Sequence, residues 1–310
     1  MINALIVGCG NVGALYDFDT RHIKSHAKIL HQLKDVAVTV YDPDSNLAAK
    51  VAQKYNFSFA ENEEVIDLTS FQWVVIASPT FTHFSWLKRC FQAKVPLVIC
   101  EKPVSKDSKE LIETERLYNN GSTKIVVNYF RRYQPVFIEL KNIINNYNAL
   151  PENILIKYQR GFLNNFSHAA DLLAFLFNNL EYRSVNIVNK AYDEFDDDAT
   201  ISFTAHLGST TINVVGLTHV KYSCFEMEIF FTDKKIALLN NGNQVIHYSA
   251  EPYEKFYKPL KEGIKTDNDN LLDNYMVHVY QHVQDVYNDK TVDGFIPILN
   301  MNKALLNILN

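Results

Sequence analysis

Three glycines near the amino terminus could bring the polypeptide backbone close to a phosphate group. They stand in the segment Gly8-Cys9-Gly10-Asn11-Val12-Gly13, which directly follows an apolar run and precedes a helical pattern. In such a turn the first glycine permits a tight bend, the second admits a diphosphate, and the third lets helix and strand pack closely. The segment predicts a dinucleotide site, with a glycine turn that binds no ligand as the alternative. The residues assigned to this site are Gly8, Gly10, Asn11, Val12 and Gly13.

An acidic residue at the end of the second strand would complete such a site. Asp42 stands there, and a carboxylate in that place accepts hydrogen bonds from ribose hydroxyls and repels a 2′-phosphate, which favours NAD over NADP. Asp42 lies 29 positions after Gly13, against about 20 in the usual pattern. We therefore expect residues 15–24 to be an insertion that forms a loop over the cofactor cleft and carries Asp17. The alternative for Asp42 is a turn residue before Pro43.

Small and polar residues follow the third predicted strand, in the segment Ala77-Ser78-Pro79-Thr80. Because ligands of doubly wound sheets bind beyond the carboxyl ends of the strands, such residues suit the close passage of a cofactor. We expect Ser78, Thr80 and His83 to contact the cofactor. A structural role in the first turn of the following helix is the alternative for His83.

A glutamate and a lysine follow the fourth predicted strand, in the segment Glu101-Lys102-Pro103. Glu101 and Lys102 are therefore expected at the edge of the cofactor cleft. Lys102 could take a proton from a hydroxyl, or give one to a carbonyl oxygen, while hydride moves. Pro103 fixes the turn and is compatible with a cis peptide bond. A surface lysine in a proline turn is the alternative.

Together these motifs resemble the Gfo/Idh/MocA oxidoreductases, a family that includes glucose–fructose oxidoreductase and inositol dehydrogenases. The Glu-Lys-Pro segment is the most specific part of the resemblance, which extends over nearly the whole chain. The resemblance implies a Rossmann domain, a second domain with a large open sheet, a nicotinamide cofactor and frequent oligomerisation. The substrate class that it implies is a sugar, an inositol or a nucleotide-linked sugar.

The second domain of the family carries the pattern Asp-x-x-x-His-x-x-Asp, which Asn164, His168 and Asp171 match with one departure. Asn164 stands where many members have an aspartate, and an amide can bind a hydroxyl but cannot take a proton. The resemblance implies that His168 acts with Lys102 in proton transfer, and that Asn164 and Asp171 bind substrate. The sequence around His168 also resembles that of family members associated with bacterial surface-polysaccharide sugars. A polar residue lining the helix after Ser167 is the alternative for His168.

The segment that begins at Asn128 also resembles the family, at the junction of the two domains. Asn128 could touch nicotinamide or substrate, and Arg131 or Arg132 could bind a hydroxyl-rich or anionic ligand through paired N–H groups. An interdomain salt bridge is the alternative for the two arginines.

The elements that must position these residues fall into two groups. In the first, near-continuous apolar runs alternate with helical patterns, which indicates a parallel sheet covered on both faces. We expect strands at residues 3–7, 36–41, 73–77, 97–100 and 124–128, and helices at residues 25–33, 45–55, 82–93 and 108–119. Beyond about residue 150, strict alternation at residues 201–207 and 225–231 is typical of antiparallel strands. Helices are expected there at residues 167–177, 271–287 and 297–309.

The predicted fold class is therefore α/β. An N-terminal Rossmann domain with a doubly wound parallel sheet (residues 1–128) precedes a C-terminal α+β domain with a large, mostly antiparallel open sheet (residues 129–310). The first domain would bind the dinucleotide, and the second would bind substrate and support a homo-oligomer, either a dimer or a tetramer. The sequence contains no internal repeat.

Composition excludes several other classes of protein. The 310 residues are 47% apolar and 21% charged, with a formal net charge of −5 and no basic cluster, which argues against a nucleic-acid or membrane partner. The four cysteines lack metal-ligand or dithiol spacing, so we expect reduced thiols and no metal. No leader or membrane span is recognisable, and the expected compartment is the cytoplasm.

The sequence as a whole predicts an NAD(P)-dependent dehydrogenase or reductase that acts on CH–OH groups, with NAD favoured as cofactor. A regulator or scaffold that binds a dinucleotide without catalysis is one alternative, because Asn164 replaces an ionisable residue. An enzyme of dehydratase or glycosidase type that retains its NAD through the reaction is another.

Overall fold

The computed structural model of the chain describes residues 1–178, 181–251, 258–267 and 271–309. The eight helices described are α1 (His26–Gln32), α2 (Ser45–Tyr55), α3 (His83–Gln92), α4 (Ser108–Asn119), α5 (Pro135–Tyr147), α6 (Ser167–Phe177), α7 (Tyr275–Tyr287) and α8 (Phe295–Leu309). The strands described are β1 (Ile2–Val7), β2 (Val36–Tyr41), β3 (Ser58–Phe59), β4 (Trp73–Ile76), β5 (Leu97–Cys100), β6 (Lys124–Val127), β7 (Asn153–Tyr158), β8 (Tyr182–Ala191), β9 (Thr200–Leu207), β10 (Thr210–Gly216), β11 (Phe225–Phe230), β12 (Lys234–Leu239), β13 (Gln244–Ala250) and β14 (Leu260–Asp267).

The chain forms two compact units, and their boundary differs from the one that the sequence predicted. The first unit comprises Met1–Gln134 and Asp273–Leu306, and the second comprises Pro135–Leu272 and Asn307–Asn310. We expected a single division at residue 128, with all that follows in the second domain. The chain instead returns to the first unit, because the apolar side of α7, with Met276 among its buried residues, packs in the core of the parallel sheet.

The sheet of the first unit has the strand order β3-β2-β1-β4-β5-β6, and every neighbouring pair is parallel. The order reverses between β1 and β4, which makes a crevice at the carboxyl ends of these strands. The strands β1, β4 and β5 are almost continuously buried, as strands covered on both faces must be. The predicted doubly wound parallel sheet is confirmed.

The glycine segment opens one turn of π-helix, Asn11–Leu15, and the first long helix starts only at His26. Residues 16–24 precede α1 without forming a helix or strand, and Asp17 is fully buried rather than displayed over a cleft. Its carboxylate accepts hydrogen bonds from the backbone N–H groups of Lys24 (2.6 Å) and Ser25 (2.9 Å) and from Ser25 Oγ (2.5 Å). Asp17 therefore fixes the start of α1.

The second unit contains an eight-stranded sheet with the order β14-β13-β12-β11-β7-β10-β9-β8. Only the central β7–β10 pair is parallel among these described strands, so the predicted mostly antiparallel sheet is confirmed. Alternate residues of β9 and β11 are buried, which matches the alternation in the sequence. Helix α5, which the sequence reading missed, contacts α6.

Two further expectations concern thiols and membrane spans. All four cysteines are free and buried, as the sequence predicted. Within the described ranges, no helix combines the length and the apolar character needed to cross a bilayer.

The hydrogen bonds of Asp17 predict a stability loss that its neighbour Asp19 should not share. Replacing Asp17 with alanine leaves buried backbone donors without an acceptor, which should lower the free energy of unfolding by about 3 kcal/mol. Asp19 is 86% exposed and pairs with Lys54 at 3.5 Å, so Asp19→Ala should cost less than about 0.5 kcal/mol. Urea denaturation followed by circular dichroism measures both values. Equal losses in the two variants would contradict the anchoring role of Asp17.

Candidate functional site

The carboxyl ends of five parallel strands bring most of the predicted site residues of the first unit to one edge of the sheet. The glycine segment follows β1, Asp42 follows β2, and Ser78 and Thr80 follow β4. Glu101 and Lys102 follow β5, and Asn128 follows β6. This edge, called the crevice edge below, is where a doubly wound sheet binds its ligand.

The three glycines of the first turn face different surroundings. A Cβ atom at Gly8 would lie 2.7 Å from the backbone of Ala77, and one at Gly13 would lie 2.1 Å from the carbonyl oxygen of Gly8. Gly8 also has a φ of +97°, a conformation that side chains disfavour. Gly8 and Gly13 are therefore glycines because the backbone packs closely around them.

Gly10 has no atom within 4 Å of the place where its Cβ would be, counting the described residues. Its φ of −68° is open to any residue, so packing within the fold does not explain the glycine. The first N–H groups of a helical turn have no partner inside the turn, and those of Asn11 and Val12 stand at this position. Open space beside backbone donors fits a diphosphate, and these residues therefore fit a dinucleotide.

Asp42 ties the glycine turn to the end of β2. Its Oδ2 accepts a hydrogen bond from the N–H of Cys9 at 2.8 Å, and its Oδ1 accepts one from the N–H of Asp44 at 2.9 Å. A carboxylate oxygen has more than one lone pair, so both atoms keep the capacity to accept from a ribose hydroxyl. Asp44 in turn caps α2 through the N–H groups of Asn46 and Leu47. Two carboxylates thus lie close together at the end of β2.

His83 joins the loop after β4 to the loop after β5. Its Nε2 lies 2.9 Å from the carbonyl oxygen of Ser78, and its Nδ1 lies 2.9 Å from that of Pro103. Burial lowers the pKa of His83, although both carbonyls favour the protonated ring. Because both nitrogens face backbone carbonyls, the geometry supports the structural alternative for His83 rather than contact with a cofactor. Ser78 Oγ hydrogen-bonds Thr82 Oγ1 at 2.7 Å beside it.

Glu101 lies at the centre of a buried hydrogen-bond network. Its Oε1 lies 3.0 Å from His26 Nε2 and accepts a hydrogen bond from Asn128 Nδ2 at 2.6 Å. His26 Nδ1 lies 2.8 Å from the hydroxyl of Tyr280. Burial alone would raise the pKa of the Glu101 carboxyl, but His26, Asn128 and the charge of Lys102 outweigh it, so the pKa lies below its ordinary value. Glu101 is therefore an internal carboxylate rather than a group turned toward a cofactor.

Lys102 is half-buried at the crevice edge, directly after Glu101, and its bond to Pro103 is cis. Asn128 is buried, and its amide nitrogen must face the Glu101 carboxylate, which fixes the orientation of the amide. Its Oδ1 accepts no hydrogen bond from the residues that the structure describes. An orphaned acceptor at this place fits a ligand that carries an N–H or O–H group. Arg131 is buried, with its guanidinium 4.7 Å from the centre of the Phe130 ring.

The predicted site of the second unit lies on a π-helical turn, Phe162–Phe166, that leads into α6. Gly161 has a φ of +83°, and a Cβ there would lie 2.3 Å from Asp198 Oδ2. The buried Asp198 carboxylate accepts hydrogen bonds from the N–H groups of Leu163 (2.8 Å) and Asn164 (2.7 Å). The side-chain amide of Asn164 donates to the carbonyl oxygen of Arg160 at 3.1 Å. Glycine at position 161 thus lets Asp198 hold the turn that carries Asn164.

His168 and Asp171 are buried in the first two turns of α6. The spacing of Asn164, His168 and Asp171, four residues and then three, places them on one side of the helical segment. Each of the three makes at least one electrostatic or hydrogen-bond interaction. The three predicted residues thus lie on one continuous helical segment of the second unit.

Three residues that contact the predicted site residues, directly or through one another, were not predicted from the sequence, namely His26, Tyr280 and Asp198. His26 reaches Glu101 from α1, and Tyr280 reaches His26 from α7, 254 residues further along the chain. The predicted start of α1 at Ser25 was a usable signal for His26, because it places a histidine in the first helical turn. Asp198 ends a run of three aspartates, and no local pattern shows that its carboxylate is buried.

A parallel sheet of this strand order, an open glycine turn and an acid after β2 define a Rossmann-type dinucleotide-binding unit. Residues 2–129 match the sequence profile described as "Oxidoreductase family, NAD-binding Rossmann fold" (GFO_IDH_MocA). The match agrees with the resemblance to the Gfo/Idh/MocA oxidoreductases that the sequence motifs carry. Among the described residues there is no group of three or more metal-ligating side chains.

Individual relatives extend this comparison. The chain is 30% identical over 145 residues to inositol 2-dehydrogenase 4 of Saccharopolyspora erythraea. The matched segment covers 45% of this chain and 40% of that protein. The match thus spans less than half the length of the curated relatives. UDP-N-acetylglucosamine 3-dehydrogenase of Acidithiobacillus ferrooxidans is similar in structure, with a TM-score of 0.75 and 18% identity over 99% of this chain and 95% of that one.

A super-repressor mutant of Gal80p from Saccharomyces cerevisiae is also similar in structure, with a TM-score of 0.76 and 14% identity over 99% of this chain and 95% of that one. At such low sequence identities, the structural likenesses establish the fold over nearly the full chain.

The open space at Gly10 predicts a variant that separates cofactor binding from folding. Gly10→Ala should change the free energy of unfolding by less than about 0.5 kcal/mol, because its Cβ meets no atom of the described fold. It should weaken binding of NADH at least about tenfold, because the Cβ enters the space needed by the diphosphate. Calorimetric titration gives the affinity. The control is Gly208→Ala in the second unit, which also meets no atom within 4 Å; its φ of +62° makes alanine costly in stability there, but NADH affinity should be unchanged. Unaltered affinity in Gly10→Ala would exclude this turn as the diphosphate site.

Proposed function

We propose that this chain is an NAD-dependent oxidoreductase that moves hydride between nicotinamide and a hydroxyl-bearing carbon of a sugar, an inositol or a nucleotide-linked sugar. One observation carries the proposal. An open glycine turn lies at the same crevice edge as a half-buried lysine, and an internal carboxylate lies beside that lysine. The profile match of residues 2–129 and the names of the relatives support the same class of reaction.

The proposed cofactor-binding residues contact different parts of the dinucleotide. Backbone N–H groups of Gly10, Asn11 and Val12 bind the diphosphate, and Asp42 accepts hydrogen bonds from the adenosine ribose. Ser78 and Thr80 border the cofactor at the end of β4. When bound, the nicotinamide supplies the acceptor or donor of hydride. The carboxylates of Asp42 and Asp44 repel the 2′-phosphate of NADP, which is why NAD is the proposed cofactor.

Lys102 is the proposed general base in the direction of alcohol oxidation. It takes the proton of the substrate hydroxyl, and the negative charge of Glu101 stabilises the ammonium group that results. Asn128 Oδ1 and the guanidinium of Arg131 are proposed to bind substrate in the first unit.

In the second unit, we infer that Asn164 and Asp171 bind substrate hydroxyls and that His168 assists the proton transfer. These roles follow the family pattern that the three residues match. The amide of Asn164 can accept or donate a hydrogen bond but cannot exchange a proton, so Lys102 and His168 carry the acid–base chemistry.

A regulator that binds a dinucleotide without catalysis is the second candidate. Two observations favour it, namely Asn164 at a position where the family often has aspartate, and the structural likeness to a protein described as a super-repressor. Such a protein would bind NADH but would not turn over any alcohol in its presence.

We further propose a homo-oligomeric protein of the cytoplasm that acts in the synthesis of bacterial surface polysaccharides. Apolar side chains on the two edge strands of the large sheet support the oligomer, since Val188 of β8 is 68% exposed and Ile264 of β14 is 69% exposed. The likeness to a dehydrogenase of a UDP-linked sugar supports the substrate class.

The carboxylate of Asp42 predicts the cofactor preference. NADPH should bind at least about tenfold more weakly than NADH, a difference of about 1.4 kcal/mol, because a 2′-phosphate would face Asp42 and Asp44. Asp42→Asn keeps the shape of the side chain and removes its charge, so the preference should fall toward unity. Calorimetric titration of both proteins with both nucleotides measures the ratio. A ratio that is the same in the two proteins would show that Asp42 does not contact the ribose.

The decisive test of catalysis is Lys102→Met, which removes the titrating group and keeps most of the side-chain volume. Turnover should fall at least about 100-fold, while NADH affinity should remain within a factor of about three. Initial rates are followed by NADH absorbance with inositols and UDP-sugars as substrates. The control is Lys109→Met at the exposed start of α4, which should retain full turnover. If the unmodified chain binds NADH and turns over none of these substrates, the regulator becomes the better candidate.

A further inference from the structure

The residue that most directly controls the Glu101 carboxylate is His26. It is fully buried in the first turn of α1 and lies 3.0 Å from Glu101 Oε1 through Nε2. Its other nitrogen, Nδ1, lies 2.8 Å from the hydroxyl of Tyr280 on α7. The family profile, the motifs and the proposed catalytic residues leave this histidine without a role.

The proton positions in this network follow from the groups at its two ends. Glu101 has a lowered pKa and is ionised at neutral pH, so it can only accept, and His26 Nε2 must carry the donated hydrogen. Burial and the nearby charge of Glu101 raise the pKa of Tyr280 well above its ordinary value, so its hydroxyl keeps its proton. The contact of Tyr280 with Nδ1 therefore fixes the orientation of the ring, with Nε2 facing Glu101.

The position of His26 is fixed by anchors on both sides. Ser25 caps α1 by accepting a hydrogen bond from the N–H of Lys28, and Ser25 is itself held by the buried Asp17. The hydroxyl of Tyr275, on α7, donates to the carbonyl oxygen of Lys24 at 2.7 Å. The segment of residues 16–25 thus holds His26 beside Glu101 in a fixed orientation.

The groups facing Glu101 come from every element around it. Burial opposes its ionised form. The charge of Glu101 also shifts the pKa values of four neighbouring groups, namely Tyr275, Tyr280, His83 and Cys100. The groups that favour its ionised form are His26, Asn128 and Lys102. His26 is the leading group among these three, so its removal should raise the pKa of the Glu101 carboxyl.

We propose that His26 is a positioning residue that keeps Glu101 ionised and fixed beside Lys102. This role rests on the function proposed above for Lys102. In alcohol oxidation the unprotonated form of Lys102 takes the hydroxyl proton at Nζ, and a bound nicotinamide would accept the hydride from the same carbon. The new ammonium then meets a carboxylate that His26 and Asn128 already hold in place, which stabilises the charged state of the lysine without reorganisation.

The experiment compares His26→Ala, His26→Gln and His31→Ala. His26→Ala should lower kcat by about 10- to 100-fold with KM for NAD within about twofold, because a charged hydrogen bond is lost at a site that does not touch the cofactor. The acid limb of its kcat–pH profile should move toward neutral pH, because Glu101 then protonates more readily. Glutamine can donate from its amide, so His26→Gln should recover most of both changes. His31 lies on the same helix and contacts the carbonyl oxygen of Tyr55 at 2.9 Å, so His31→Ala should leave the profile unchanged.

A second measurement judges the network without turnover. A carboxyl with a lowered pKa in the folded state stabilises the fold above its ordinary pKa, and this contribution is lost as pH falls through the lowered value. The free energy of unfolding of the unmodified chain should therefore exceed that of His26→Gln slightly and that of His26→Ala strongly near pH 7. The gap to His26→Ala should narrow as pH approaches about 4.

The possible outcomes separate the two proposals. A kcat–pH profile of His26→Ala that matches the unmodified chain would overturn the positioning role, and so would equal stability gaps at both pH values. If His26→Ala does not fold, the shifted acid limb is sought in Tyr280→Phe, which removes the hydroxyl that contacts Nδ1, and an unshifted limb there overturns the role. If the unmodified chain binds NADH but catalyses nothing, the function proposed for Lys102 fails. In that case the positioning role fails with it, whereas the stability gap still reports on the ionised Glu101.

Discussion

A buried negative charge is the constraint around which the first unit is organised. Glu101 sits at the end of β5 with almost no access to water, and an isolated carboxylate in such a place would protonate. It stays ionised because donors arrive from three separate segments, the start of α1, the end of β6 and the adjoining lysine. The return of the chain in α7 supplies Tyr280, which orients the histidine of the network.

This constraint explains features that have no other evident purpose. The segment of residues 16–25 carries its own buried carboxylate, Asp17, which fixes Ser25 and so fixes the helix that presents His26. Asn128 is oriented by the same charge, and this leaves its carbonyl oxygen without a partner in the described structure. A polar network of this kind is stable only when each member has its hydrogen-bond partner. The orphaned acceptor is therefore open to an N–H or O–H group of a ligand, as proposed above.

In the second unit, a different buried acid fixes the turn that leads into a helix. Asp198 accepts the backbone donors of the turn before α6, and Gly161 is the residue that leaves room for its carboxylate. The turn carries Asn164, and the helix that follows carries His168 and Asp171 on the same side. In both units a buried aspartate thus fixes the start of a helix that presents a histidine.

The sequence by itself determined the elements and their class, because local patterns are decided by neighbouring residues. The ranges of α2, α4 and α6 agree with the predicted helices, and β2 and β5 agree with the predicted strands. The residues at the crevice edge were also predictable, because a doubly wound sheet brings the ends of its strands together whatever lies between them.

Only the tertiary structure decided which polar groups are buried and what they contact. His26, Tyr280 and Glu101 are far apart in the chain, and no local pattern shows that they meet. The sequence likewise gave no sign that α7 returns to the first unit or that Asp17 is buried. A hydrogen bond between distant segments depends on the packing of whole elements, whereas helix and strand patterns depend on the spacing of neighbours.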